Sequence, residues 1–158
     1  MSSYVMLFLL APFVSRGLQA RSSDPLQGLE AVKIVIEKPL PDAGPCNVQR
    51  EALQLSAWRP LQDGKVRADR TVPTYVQVNV TVLESGGMCV AFIGVSVRTP
   101  AVATVSYRMS DPVAIEALLF EEGRLLTGPP SDYGQRVNAS VREYVDRFVT
   151  KVKLANQR

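Results

Sequence analysis

Along residues 74–82 the chain reads TYVQVNVTV, with Val76, Val78, Val80 and Val82 at every second position. A period of two puts these four valines on one face of a β-strand and the polar or aromatic residues on the other. Ser85-Gly86-Gly87 then supplies a turn, and Met88 to Arg98 forms a second long strand pattern, so a hairpin is the simplest joint. Thr99-Pro100 interrupts the pattern, and Val102 to Met109 resumes it as a further strand. Upstream, Ala31 to Glu37 is rich in β-branched residues and stops at Lys38-Pro39, which also reads as a strand.

Two stretches have helical spacing instead. Cys46 to Arg59 follows the loop segment Pro39–Pro45. Asn47 is its candidate N-cap, and Val48, Ala52, Leu55 and Trp58 form its apolar stripe. Pro60 ends or kinks this helix, and Asp63-Gly64 turns the chain. The C-terminal helix carries Val137, Val141, Tyr144, Val145, Phe148, Val152 and Ala155 on one stripe, with Asp132 and Gln135 placed as a reciprocal cap. Its outer face holds Arg142/Asp146 and Glu143/Arg147, pairs of opposite charge four residues apart. Such a stripe is that of a core-packing helix and needs no cofactor to explain it. Ser110 to Gly123 supports two readings. Asp111-Pro112 is a good helix start, yet Val113, Ile115, Ala117 and Leu119 alternate as in a strand; periodicity does not separate the two, and the residues alone lean to helix.

From Tyr4 to Val14 the chain is almost wholly apolar. That run is too short for a membrane-spanning helix of roughly 20 apolar residues, but it matches the core of a secretory signal with cleavage after Leu18-Gln19-Ala20. Residues 1–20 are therefore expected to be a signal peptide and residues 21–158 a single α/β domain. No basic residue precedes the run, and Leu18 is large for a cleavage site, so an uncleaved anchor and a buried N-terminal element are the alternatives. With export, Cys46 and Cys89, far from any metal-ligand spacing, are most simply a disulfide rather than two buried thiols. The formal net charge is +3, and its basic residues are scattered, so the chain lacks the clustered footprint of a nucleic-acid binder.

The segments GLEAVKIVIE, GPCNVQREAL, TYVQVNVTVLESGGMCVAF, ALLFEEGRLLTGPP and SDYGQRVNASVREYVDRFV, in this order, resemble a family of small exported bacterial proteins without an assigned function. The resemblance covers residues 28–156 and implies an α+β fold: an antiparallel sheet of four to five strands with two helices on one face. It also implies a strand at Ala117–Phe120, although Leu119-Phe120 stands where the family pattern has Thr-Trp. At the level of fold alone, the layout is similar to accessory domains of envelope complexes such as the outer-membrane lipopolysaccharide-transport lipoprotein.

The chain contains no histidine, which removes the commonest general base, the usual catalytic triads and the commonest zinc ligand. No phosphate-cradling, dinucleotide-binding or nucleophile-elbow motif occurs, so neither a cofactor nor a metal is expected. Glu121-Glu122 are adjacent and would point to opposite faces of a strand. Two N-x-[ST] tripeptides, at Asn79 and Asn138, fall inside regular elements. These observations favour a non-catalytic periplasmic or secreted binding or accessory domain. An anchored subunit of an envelope complex and an exported enzyme of unfamiliar type are the alternatives.

If Cys89 turns toward the helices to meet Cys46, alternation carries Ala91, Ile93, Val95 and Val97 to the same side, with the valines of the partner strand. Tyr75, Gln77, Asn79 and Thr81 then share the opposite face with Val90, Phe92, Gly94 and Ser96. Rings among hydrogen-bonding groups are common at protein interfaces. This face is the candidate surface for another envelope protein or an extended ligand, unless residues 99–130 cover it. Nucleic acid is not an expected partner, and membrane contact is expected only if the N-terminus is retained. N-terminal sequencing of protein from its own cells should find a start near Arg21; recovery in the membrane fraction with Met1 or Ser2 intact would reverse the reading toward an anchor.

Overall fold

The computed structural model describes residues 24–37, 44–104 and 112–157. The expected signal segment, most of the Pro39–Pro45 loop, residues 105–109 of the third strand pattern and the Asp111 helix start lie outside the described residues. Five strands and two helices follow in the order β1 (Ala31–Ile36), α1 (Arg50–Asp63), β2 (Arg67–Ala68), β3 (Tyr75–Ser85), β4 (Met88–Thr104), β5 (Pro112–Gly128) and α2 (Tyr133–Asn156). The sheet order is β2-β1-β3-β4-β5. The architecture is thus α+β, as the sequence suggests, but the sheet is mixed. β1 pairs in parallel with β2 and β3, while β3–β4 and β4–β5 are antiparallel. A parallel pair needs a crossover connection, and α1 lies within it.

The hairpin is built as its residues dictate. Ser85 pairs with Met88 across Gly86-Gly87, whose φ values of 59° and 76° are the left-handed conformation that a two-residue hairpin turn demands. From there the register places Val76 opposite Val97, Val78 opposite Val95, Val80 opposite Ile93 and Val82 opposite Ala91, and all eight are buried. Both helices pack on this side. The complete α2 stripe from Val137 to Ala155 is buried with them, and Phe148 meets Phe120 of β5 at 5.6 Å between ring centroids. Both outer pairs of α2 form, Arg142–Asp146 at 4.0 Å and Arg147–Glu143 at 3.0 Å.

The segment Ser110–Gly123, open between helix and strand, is strand from Pro112 onward. β5 runs alongside β4, with one register shift at Val97/Arg98. Tertiary pairing decides here, because the segment's alternation fits the ladder that β4 offers. Thr99-Pro100 does not interrupt β4, which continues to Thr104. Pairing with β3 ends at Arg98, so beyond it β4 has a free side where a residue without an N–H donor is tolerated.

Helix α1 departs most from expectation. It starts at Arg50, with Gln49 rather than Asn47 at the N-cap position, and it runs through Pro60 to Asp63. Cys46 lies in the preceding turn, and Asn47 takes a φ of 50°, which excludes both from the helix. The buried residues are Leu53, Ala57, Pro60 and Leu61, whereas Leu55 and Trp58 are 45% and 43% exposed. Both sets have helical spacing; the one facing the sheet is selected by where the Cys46 tether and α2 hold the helix. The expected cap of α2 is also replaced. Asp132 makes no side-chain cap bond, and a 3-10 turn at Pro130–Asp132 leads into the helix instead.

Cys46 and Cys89 are bonded, with Cα atoms 5.9 Å apart and both residues fully buried. The bond ties the turn before α1 to the first residues of β4. The start of α2 closes on the same point, since a Cβ on Gly134 would overlap the Asn47 carbonyl oxygen. Tyr133, fully buried beside it, donates its hydroxyl to the Leu126 carbonyl at 2.6 Å. With 43 residues of separation, the bond should stabilise the fold by about 4 kcal/mol through the unfolded chain. The C46A/C89A protein should therefore unfold at clearly lower denaturant concentration than the oxidised protein; coincident unfolding curves would show that packing alone holds the three elements together.

Candidate functional site

The face of the sheet opposite the helices is ordered in rows across the strands, because directly paired residues share a face. Lys33, Tyr75, Arg98 and Leu118 form one row, and Val35, Gln77, Ser96 and Glu121 the next. Asn79, Gly94 and Gly123 follow, then Thr81, Phe92 and Leu125, and then Leu83, Val90 and Thr127. All six residues expected on this surface, Tyr75, Gln77, Asn79, Thr81, Val90 and Phe92, lie on it in the register. The described parts of residues 99–128 continue β4 and β5 in the ladder, so they widen the sheet instead of covering this face.

Two glycines opposite one another leave the centre of the face without side chains. Phe92 leans into that gap. A Cβ on Gly94 would approach its ring at 3.2 Å, and one on Gly123 would approach it at 3.3 Å. Covering facing glycines with a neighbouring ring is a known way to restore packing in a sheet. Phe92 nevertheless stays 48% exposed, and Leu125 beside it 72%. Next to the ring lies a trough of about 310 Å³ lined by Gln77, Asn79, Phe92, Ser96, Arg98 and Glu121. Sequence reasoning identified neither the glycine floor nor the contribution of Glu121 and Leu125, because both need β5 to be a strand beside β4.

One end of the trough is an ordered polar cluster. The Tyr75 hydroxyl donates to Glu116 Oε1 at 2.7 Å, which holds the phenol above its ordinary pKa because ionisation would set two anions together. Arg98 donates through Nε to Ser96 Oγ at 3.4 Å and lies 3.9 Å from Glu116. Lys33 stands over the Tyr75 ring at 5.7 Å, and Gln77 donates to Glu37. These groups are an amide, two hydroxyls, a guanidinium, an ammonium and two carboxylates. They can hydrogen-bond a ligand. Among the described residues there is no group of three or more acidic, cysteine or histidine side chains that could hold a metal. Glu121 and Glu122 point to opposite faces as a strand requires, and Glu122 instead meets Arg147 of α2 at 2.9 Å.

No protein-family model matches the chain, and no curated protein matches its sequence. Replacing Phe92 by Ser should lower stability by about 1 kcal/mol, the share of a half-exposed ring, and leave the fold intact in circular dichroism. Global unfolding of F92S would mean that the ring carries the sheet and is not free to serve as a contact surface.

Proposed function

We propose that the chain is a non-catalytic binding or accessory domain that works outside the cytoplasm, in the periplasm or secreted, with the open sheet face as its working surface. Its partner is an extended polypeptide segment of another envelope protein. The observation carrying this reading is the face that no described residue covers, where an exposed ring and Leu125 flank a polar trough floored by glycine. A peptide backbone has donors and acceptors that Gln77, Asn79 and Ser96 can match, and Phe92 and Leu125 offer apolar contact to alternate side chains. Arg98 and Glu121 add one charge of each sign, which favours a segment of mixed charge. The buried disulfide fits an oxidising compartment. Among the described residues no helix is long and apolar enough to cross a membrane.

The test is photocrosslinking in the protein's own cells from a reactive residue at Thr81, in the middle of the face, against one at Arg59 on α1. A discrete adduct is expected from Thr81 alone, and it should disappear when Tyr75 and Phe92 are both changed to Ser while the melting temperature stays within a few degrees. Equal adducts from both positions, or an adduct that survives the double substitution, would remove this face as the working surface.

A further inference from the structure

The two edges of the sheet are unlike. β2 is two residues long, as protected edges often are, whereas β5 is a 17-residue strand whose outer side pairs with nothing among the described residues. Among the described residues, a row of backbone donors and acceptors is thus left open along β5. The register shift opposite Val97/Arg98 divides the strand, and the regular part runs from Phe120 to Gly128.

In that part the side chains on the helix side read Phe120, Glu122, Arg124, Leu126. This order is apolar, acidic, basic, apolar, and it is complementary to itself when reversed. We propose that β5 pairs antiparallel with β5 of a second copy of this chain, about a two-fold axis at Gly123, so that two sheets join into one. A two-fold axis perpendicular to the sheet keeps the helices of both copies on the same side, so only residues on the same face can oppose each other. Centring on Gly123 sets Glu122 against Arg124 and Phe120 against Leu126 of the other copy, each twice. Moving the axis by one residue sets Glu122 against Glu122 or Arg124 against Arg124, and like charges directly opposite are unfavourable. On the open side, Glu121 faces Leu125. The charges are also held at the edge: Arg147 fixes Glu122 at 2.9 Å, and Glu143 lies 3.7 Å from Arg124. In the pair these would join into one network across the axis. The arrangement does not depend on what the open face binds, although it would bring two such faces side by side.

Two measurements test it on the oxidised protein. In sedimentation equilibrium the chain should show a concentration-dependent mass of two copies. Leu125 is 72% exposed, so changing it should not affect folding. Leu125→Glu, which sets two like-charge pairs against Glu121, should weaken the dimer about tenfold, whereas Leu125→Lys should leave it intact or tighter. For register, Glu121→Cys and Leu125→Cys proteins are oxidised separately and mixed. Directly opposed residues lie about 5 Å apart, within disulfide reach, while like positions are offset by about 13 Å along the strand. A linked dimer should therefore form in the mixture and not from either protein alone, with buried Cys46 and Cys89 taking no part. A monomeric mass at every concentration, a dimer indifferent to Leu125→Glu, or equal linking by single variants would each overturn the proposal.

Discussion

Burial of one face of the β3–β4 hairpin under α2 is the constraint on which the rest of this structure depends. The four valines of β3 and the alternating Ala91, Ile93, Val95 and Val97 of β4 are fully or almost fully removed from water. A single-residue slip of either strand would move its whole apolar set to the solvent side. At roughly 1.5 kcal/mol or more per buried valine-sized side chain, that slip is far costlier than any hydrogen bond or ion pair in the molecule. Register follows, and with it the identity of every residue on the opposite face.

The disulfide then fixes where the helical layer begins. Cys89 can reach Cys46 only from the buried face, and the turn that carries Cys46 is in close contact with Gly134 at the start of α2. Three elements distant in sequence are thus set at one corner. Phe120, its ring tilted against that of Phe148 and with Lys151 4.8 Å from its ring centre, closes the opposite part of the same layer. Arg124 and Arg147 lie over the Tyr144 ring at 5.8 and 5.1 Å, so the charged rim of α2 packs through its stems and planar groups as well as through ion pairs.

Among the described residues this leaves an open face, a consequence of placing both helices on one side, and a long strand edge at β5. An antiparallel sheet can leave one side in water. Here that side combines a polar trough with Phe92 and Leu125, and the absence of histidine from the chain removes the most common means of turning such a trough into an active site. The edge and the face meet at Gly123, where the lack of a side chain serves both the trough and the close approach of a second strand.

The sequence by itself determined the elements whose pattern has one solution. Alternating valines permit only a half-buried strand, Gly86-Gly87 only a tight hairpin, and the seven-residue stripe of α2 only one inward face; from these, the six residues of the candidate surface were legible. Tertiary structure decided the rest, wherever two local solutions were close in energy. Leu53, Ala57 and Leu61 compete with Leu55 and Trp58 for the inside of α1, while Val48 is buried ahead of the helix; the Cys46 tether and the neighbouring helix chose between the two stripes. Residues 112–123 fit helix or strand, and the open ladder of β4 made them strand. Pro100 is tolerated because β4 has outrun β3, and the parallel placement of β1 depends on pairings remote in sequence. Local patterning measures what a segment can bury, and only the assembled neighbours determine which of its faces is buried.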